Sequence, residues 1–163
     1  MRRRHWALLT VLALLGTPHL GADGTLGYDP DADPTADLAA AVAEARTTGR
    51  RILMVVGGEW CSWCHILDRF VKGNEAIHEQ WTRGFVTLKV HWDREQPNEE
   101  FLVRYPTIPG YPHIFVLEDD GTLLHSQNTA VLEDGDSYSP DRVAAFLKRW
   151  APGEERTEGV RDR

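Results

Sequence analysis

With 163 residues, 42% of them hydrophobic, the chain has enough apolar surface for one domain with a proper core, which excludes a wholly disordered protein. Its 25 acidic residues outweigh 18 basic ones to give a net charge of −7, which leaves no electrostatic basis for binding nucleic acid or an anionic membrane surface.

Residues 1–22 read as a signal peptide: three arginines, an apolar stretch from Trp6 to Leu15, then small residues at Gly21 and Ala22. The apolar run is about half of the ~20 residues that a spanning helix needs. Export is therefore expected, to the periplasm, with no stable membrane insertion after cleavage; an uncleaved anchor is the alternative. Removing the three arginines takes away no acidic residue and leaves the rest more acidic still.

Residues 23–33, rich in Gly, Pro and Asp, read as a linker. Their spaced acids resemble a calcium loop, but Pro34 stands where the sharp-turn glycine belongs and Ala40 where the bidentate glutamate belongs. A domain is expected over 34–151, followed by a charged flexible tail over 152–163.

Asp33 and Pro34 form a helix start, and Leu38, Val42 and Ala45 recur at helical spacing up to a stop at Gly49. RRILMVVGG then reads as a buried strand, and SWCHILDRFVKGN as a helix with Leu67, Phe70 and Val71 on one face. A short helix around EAIHEQW, a strand in GFVTLKVHW and a helix in REQPNEEFLVRY come next. PTIPGYP is a turn cluster, after which HIFVL, EDDGT and LLHSQ spell strand, hairpin turn, strand. Residues 126–138 form a long connection, and Ser139 caps a last helix carrying Val143, Phe146, Leu147 and Trp150. Strands separated by helices imply a partly parallel sheet, and the late hairpin adds an antiparallel edge, so the expected class is α/β with a mixed central sheet flanked by helices.

The two cysteines, Cys61 and Cys64, lie in EWCSWCH directly after the first strand. That spelling serves a cycling dithiol, a c-type haem attachment or half of a zinc site. Two cysteines three residues apart close too small a loop to stabilise a fold much, which favours redox use. A zinc site lacks a second ligand pair, because the histidines of the domain, His65, His78, His91, His113 and His125, are scattered. For haem, His65 would be the proximal ligand. The distal one would have to be His91, His113 or His125, since Met54 is within the apolar strand.

The combination of EWCSWC after a buried strand and GYPHIFVL, a proline immediately before the next central strand, resembles the thioredoxin superfamily, and more narrowly its exported members with a WCxxC site. The resemblance covers roughly Pro34 to Ala151. It implies a thioredoxin-like fold and a thiol–disulfide oxidoreductase, with Pro112 as a cis-proline beside the cysteines, Pro109 being the weaker rival. It also implies that Tyr111 offers its backbone to an extended substrate and that Trp60 shapes the docking surface. Val55 stands where many relatives carry a buried acid. Proton transfer from Cys64 is then expected to use water, Glu59 or His65. Lys89, at the position of a lysine that often neighbours that acid, reads as a surface residue.

Cys61, opening a helix, is the expected nucleophile and Cys64 the resolving cysteine. Ser62, Trp63 and His65 would tune the pair, with Ser62 donating to sulfur, Trp63 restricting access and His65 favouring thiolate when cationic. The function expected is reduction of exported protein disulfides by a dithiol that another redox partner resets, with no bound cofactor and no metal. The alternatives are a thioredoxin-like binding module with little turnover, for which the 126–138 connection could carry specificity, and a haem protein.

Overall fold

The structure is a computed structural model that describes residues 27–153. The expected signal peptide, the first part of the linker and most of the tail lie outside the described residues. Eleven helices and strands, with one short 3-10 turn, build a four-stranded sheet covered on both faces.

Helix α1 (Pro34–Thr48) begins where the Asp33 carboxylate accepts the Thr35 amide at 2.9 Å and ends at Gly49, whose φ of 69° is the left-handed stop. Strand β1 (Arg51–Gly57) leads through a turn into α2 (Ser62–Gly73), then come α3 (Glu75–Gly84) and β2 (Phe85–His91). After α4 (Glu99–Leu102), strands β3 (His113–Leu117) and β4 (Leu123–Asn128) form the hairpin. A 3-10 turn at Thr129–Leu132 and a small ribbon of β5 (Glu133–Asp134) and β6 (Ser137–Tyr138) precede α5 (Pro140–Trp150).

The sheet order is β2-β1-β3-β4, with β1 parallel to β2 and antiparallel to β3. Alternation along β1 divides the core in two. Leu53 and Val55 face a cluster with Leu67 of α2, Ile77 and Trp81 of α3, and Leu147 of α5. Ile52, Met54 and Val56 face Ala41 and Ala45 of α1, with Phe101 and Phe115. A strand buried on both faces must be apolar throughout, which explains the unbroken run Ile52–Val56. Arg51 fastens the start of β1 to Glu118 at 2.9 Å and to the Trp150 carbonyl at 2.9 Å, so the turn after β3 and the end of the last helix close on one guanidinium.

Two segments differ from the sequence reading. The helix expected over 94–105 shrinks to four residues, because the Asp93 carboxylate captures the amides of Glu95 and Gln96 at 2.8 and 2.6 Å and Asn98 sits at φ 50°. Local side-chain bonds of this kind offer the backbone an alternative to a helix. The connection 126–138 is ordered, with Leu132 and Tyr138 buried in the core and Gly135 at φ 58° turning the β5–β6 ribbon.

Candidate active site

Strand β1 aims the chain at the edge of the sheet, and residues 58–60 turn it into α2. Cys61 is the N-cap of that helix, with φ −89° and ψ 105°. Its amide donates to the Gly58 carbonyl at 3.1 Å, and its own carbonyl accepts from Cys64 and His65 at 3.0 and 3.2 Å. The Cys64 amide also donates to the Cys61 sulfur at 3.2 Å. The sulfurs of Cys61 and Cys64 are joined as a disulfide. A sulfur at this place, once released, would face the unpaired N–H groups and the positive end of α2, which favour thiolate.

Both sulfurs are withdrawn from solvent, Cys61 being 4% and Cys64 1% exposed. Gly57 makes the space: a Cβ there would lie 2.5 Å from the Cys64 sulfur and 3.0 Å from the Tyr28 hydroxyl. Tyr28, from the segment read as a linker, is itself 4% exposed and completes a buried cluster with the two cysteines. Trp63 and Tyr111 pack on the same cluster. The backbone amide of Tyr28 donates to the Glu59 carboxylate at 3.3 Å, which fixes the segment against the active-site turn.

The Tyr111–Pro112 bond is cis and leads into β3. The carbonyl of Pro112, in the peptide bond that follows, accepts the Thr129 hydroxyl. Tyr111 stacks on Trp92 at 4.6 Å, and Trp60 stands edge-on to both at 5.7 and 6.0 Å while donating its indole N–H to the Trp92 carbonyl at 2.7 Å. Trp60 remains 52% exposed, so three rings form a platform with one face in solvent. Burial pushes the Tyr111 phenol up to about 12.

The other sequence-selected residues divide. Trp63 lies edge-on to Tyr138 at 5.6 Å, between the cysteines and the ordered connection, and Ser62 is exposed. His65 donates its Nε2 proton to the Glu59 carbonyl at 2.8 Å, which ties α2 back to the turn. Val55 is fully buried beside the α2 face, as an apolar residue there must be. Lys89, opposite Val55 on β2, is not the surface residue expected. Its ammonium lies 4.8 Å over the Tyr28 ring, and burial, opposed by the charges of Asp68 and Glu59, lowers its pKa.

Tyr28, Gly57 and Trp92 are the site neighbours that the sequence did not mark, and Lys89, read as a surface residue, is a fourth neighbour. The one available signal was an aromatic residue isolated in a Gly/Pro/Asp stretch. The three candidate distal histidines have ordinary protein partners: His91 with Asp93 at 2.9 Å, His113 with Ser126 at 2.8 Å and His125 with Gln127 at 3.1 Å.

A family model described as thioredoxin-like matches residues 33–118, more than half of the chain. The thiol:disulfide interchange protein DsbD of Pseudomonas fluorescens is 29% identical over 121 residues. That alignment takes in 74% of this chain but spans only 19% of the relative's length. A disulphide isomerase from Xylella fastidiosa Temecula1 superposes with a TM-score of 0.65 at 24% identity, covering 77% of this chain and 96% of that one. The C-terminal domain of Neisseria meningitidis DsbD, in its oxidised form, gives 0.52 at 16% identity, covering 72% and 96%. At these identities the two structures establish the α/β fold with its mixed sheet.

Proposed function

We propose that this chain, which belongs to the thioredoxin-like family and is one of its thiol–disulfide oxidoreductases, works as an exported reductant of disulfides in other proteins. The observation that carries the reading is the Cys61–Cys64 pair at the strand-to-helix junction, in a buried cluster against which Tyr111 packs. In the reduced protein the Cys61 thiolate attacks a substrate disulfide; one substrate sulfur leaves as thiolate and a mixed disulfide forms. Cys64 then attacks Cys61, the bond to substrate breaks, and the substrate's second sulfur leaves reduced. The enzyme ends as the disulfide form and needs a dithiol partner to return it.

Trp60, Tyr111 and Trp92 supply the surface on which the substrate would lie, with Tyr111 offering backbone groups to an extended chain. Glu59 and His65 hold the turn that presents Cys61. Export, with residues 1–22 as its signal and the periplasm as destination, belongs to this reading on the order of basic, apolar and small residues in that segment. The reducing direction follows the resemblance to exported WCxxC proteins, which commonly donate electrons.

An equilibrium redox titration of the purified chain, following Cys61 and Cys64 by alkylation and mass, tests this. A potential near about −270 mV is expected, and one near about −120 mV would make the protein an oxidant instead. Absence of any reversible two-electron couple would leave a docking module or a haem protein, which an absorption scan for haem on the same sample tells apart.

A further inference from the structure

The Tyr28 hydroxyl is buried and has no hydrogen-bond partner among the described residues of the oxidised protein. Leaving such a group unpaired is costly, which favours a partner in another state of the site. The Gly57 geometry identifies it. The hydroxyl and the Cys64 sulfur border the same point above Gly57, and Tyr28 shares its buried cluster with the two cysteines. In the disulfide, Cys64 sulfur is a weak acceptor. When a thiolate attacks Cys61, it is the sulfur that leaves with charge.

From this geometry we infer that Tyr28 is the hydrogen-bond donor that receives the Cys64 thiolate when the disulfide opens. The inference rests on the dithiol reading above. In the step concerned, a thiolate of the resetting dithiol forms a bond to the Cys61 sulfur. The Cys61–Cys64 bond breaks, and its electron pair stays on Cys64. Tyr28 turns its O–H to that sulfur and keeps its proton; the proton that later neutralises Cys64 comes from water. In the forward direction the same bond favours the Cys64 thiolate over the thiol as it attacks the mixed disulfide.

The charges around the phenol fit a donor. Burial first, then the nearby Glu59 charge, raise its pKa far above the ordinary tyrosine range, so it stays protonated wherever the enzyme works. Lys89 from β2 places its ammonium over the ring, and Asp68 and Lys72 of α2 with Tyr138 of β6 are the other titratable groups that act on the pair. The hydroxyl is thus a fixed dipole in a low-dielectric site, where a bond to a charged sulfur is stronger than one to a neutral group. Glu59 and His65, in contrast, meet one another's neighbourhood at the outer turn through the Glu59 carbonyl.

The test replaces Tyr28 by Phe in the full chain, which removes one oxygen and keeps the ring. In a Cys61→Ala background, thiolate absorbance against pH reads Cys64 alone. Tyr28→Phe is expected to raise the proton affinity of Cys64 roughly tenfold, one pKa unit. With both cysteines present it is expected to slow reduction by dithiothreitol by a similar factor. An unchanged Cys64 titration in a folded Tyr28→Phe protein overturns the inference while leaving the wild-type couple, and so the dithiol reading, intact. Loss of a reversible couple in the wild type would instead remove that reading. Where Tyr28→Phe does not fold, fluorine NMR of the chain carrying 3-fluorotyrosine at position 28 decides. The resonance is expected to move on reduction with the apparent pKa of Cys64, and a resonance indifferent to redox state refutes the donor.

Discussion

Cys61 and Cys64 differ by what surrounds their sulfurs rather than by sequence. Cys61 receives the Cys64 amide at the helix start, whereas Cys64 lies one turn deeper between Gly57 and Tyr28. Replacing Cys64 by Ser should therefore arrest the reaction after the first attack; the expected outcome is a mixed disulfide with protein substrates, seen as an adduct that dithiothreitol removes, while Cys61→Ser gives none. Gly57→Ala tests the floor of the site. Its Cβ would stand 2.5 Å from the Cys64 sulfur, closer than any atom tolerates, and the backbone of β1 has little room to retreat. Overpacking of this kind costs about 1–3 kcal/mol, measurable as a lower unfolding midpoint of the oxidised protein, and the active-site thiols should also react at altered rates. A midpoint equal to wild type would show that the sulfur moves freely. The cysteine motif was legible because its chemistry is local. Gly57 and Tyr28 were not, because their meaning is a distance to a sulfur that no spacing in the chain encodes.

At the scale of elements, the helix ends carry much of the order. Asn74 serves two of them: it stops α2 in extended conformation and its carboxamide oxygen accepts the Ile77 amide at 3.2 Å to start α3. Asn74→Ala should cost about 1 kcal/mol, read as a shift in denaturant midpoint with m unchanged. The effect should be larger than that of an exposed mid-helix change, because α3 brings Ile77 and Trp81 to the core behind the active-site helix. Caps of this type, at Asp33 and Ser139 as well, are readable from sequence, since a side chain reaches an amide two or three residues away. The segment 93–98 was misread for a related reason. Asp93 could cap a helix or wind its own turn, and the bond of its carboxylate to His91 on β2 selects the turn.

For the whole molecule, His113 links redox site, sheet and pH. It follows the cis-proline, is 1% exposed, pairs with Val56 across β3–β1 and bonds Ser126 of β4. Burial, reinforced by the neighbouring His125, pushes its imidazole down to about 4. The unfolded chain takes up that proton near pH 6.5, so the native state binds fewer protons between about 6.5 and 4. The stability it contributes is complete above about pH 6.5 and is lost as pH falls towards 4, an effect on the order of 3 kcal/mol at most. Urea midpoints measured across that window should fall with pH, and His113→Gln should flatten the slope. A slope identical in both proteins would assign the acid sensitivity elsewhere.

Sequence by itself determined the α/β class, the strand–CxxC–helix unit, the proline before the central strand and the caps that bound the helices. These depend on periodicity, preset backbone angles and reach within one turn, all of which are properties of neighbouring residues. Tertiary structure alone decided that Tyr28 returns to cover the sulfurs, that Lys89 turns its charge over that ring, and that Trp60, Trp92 and Tyr111 assemble one platform. Those contacts join residues 19 to 61 positions apart through strand order and burial, and only the closing of the sheet fixes which distant side chains share the space around a sulfur.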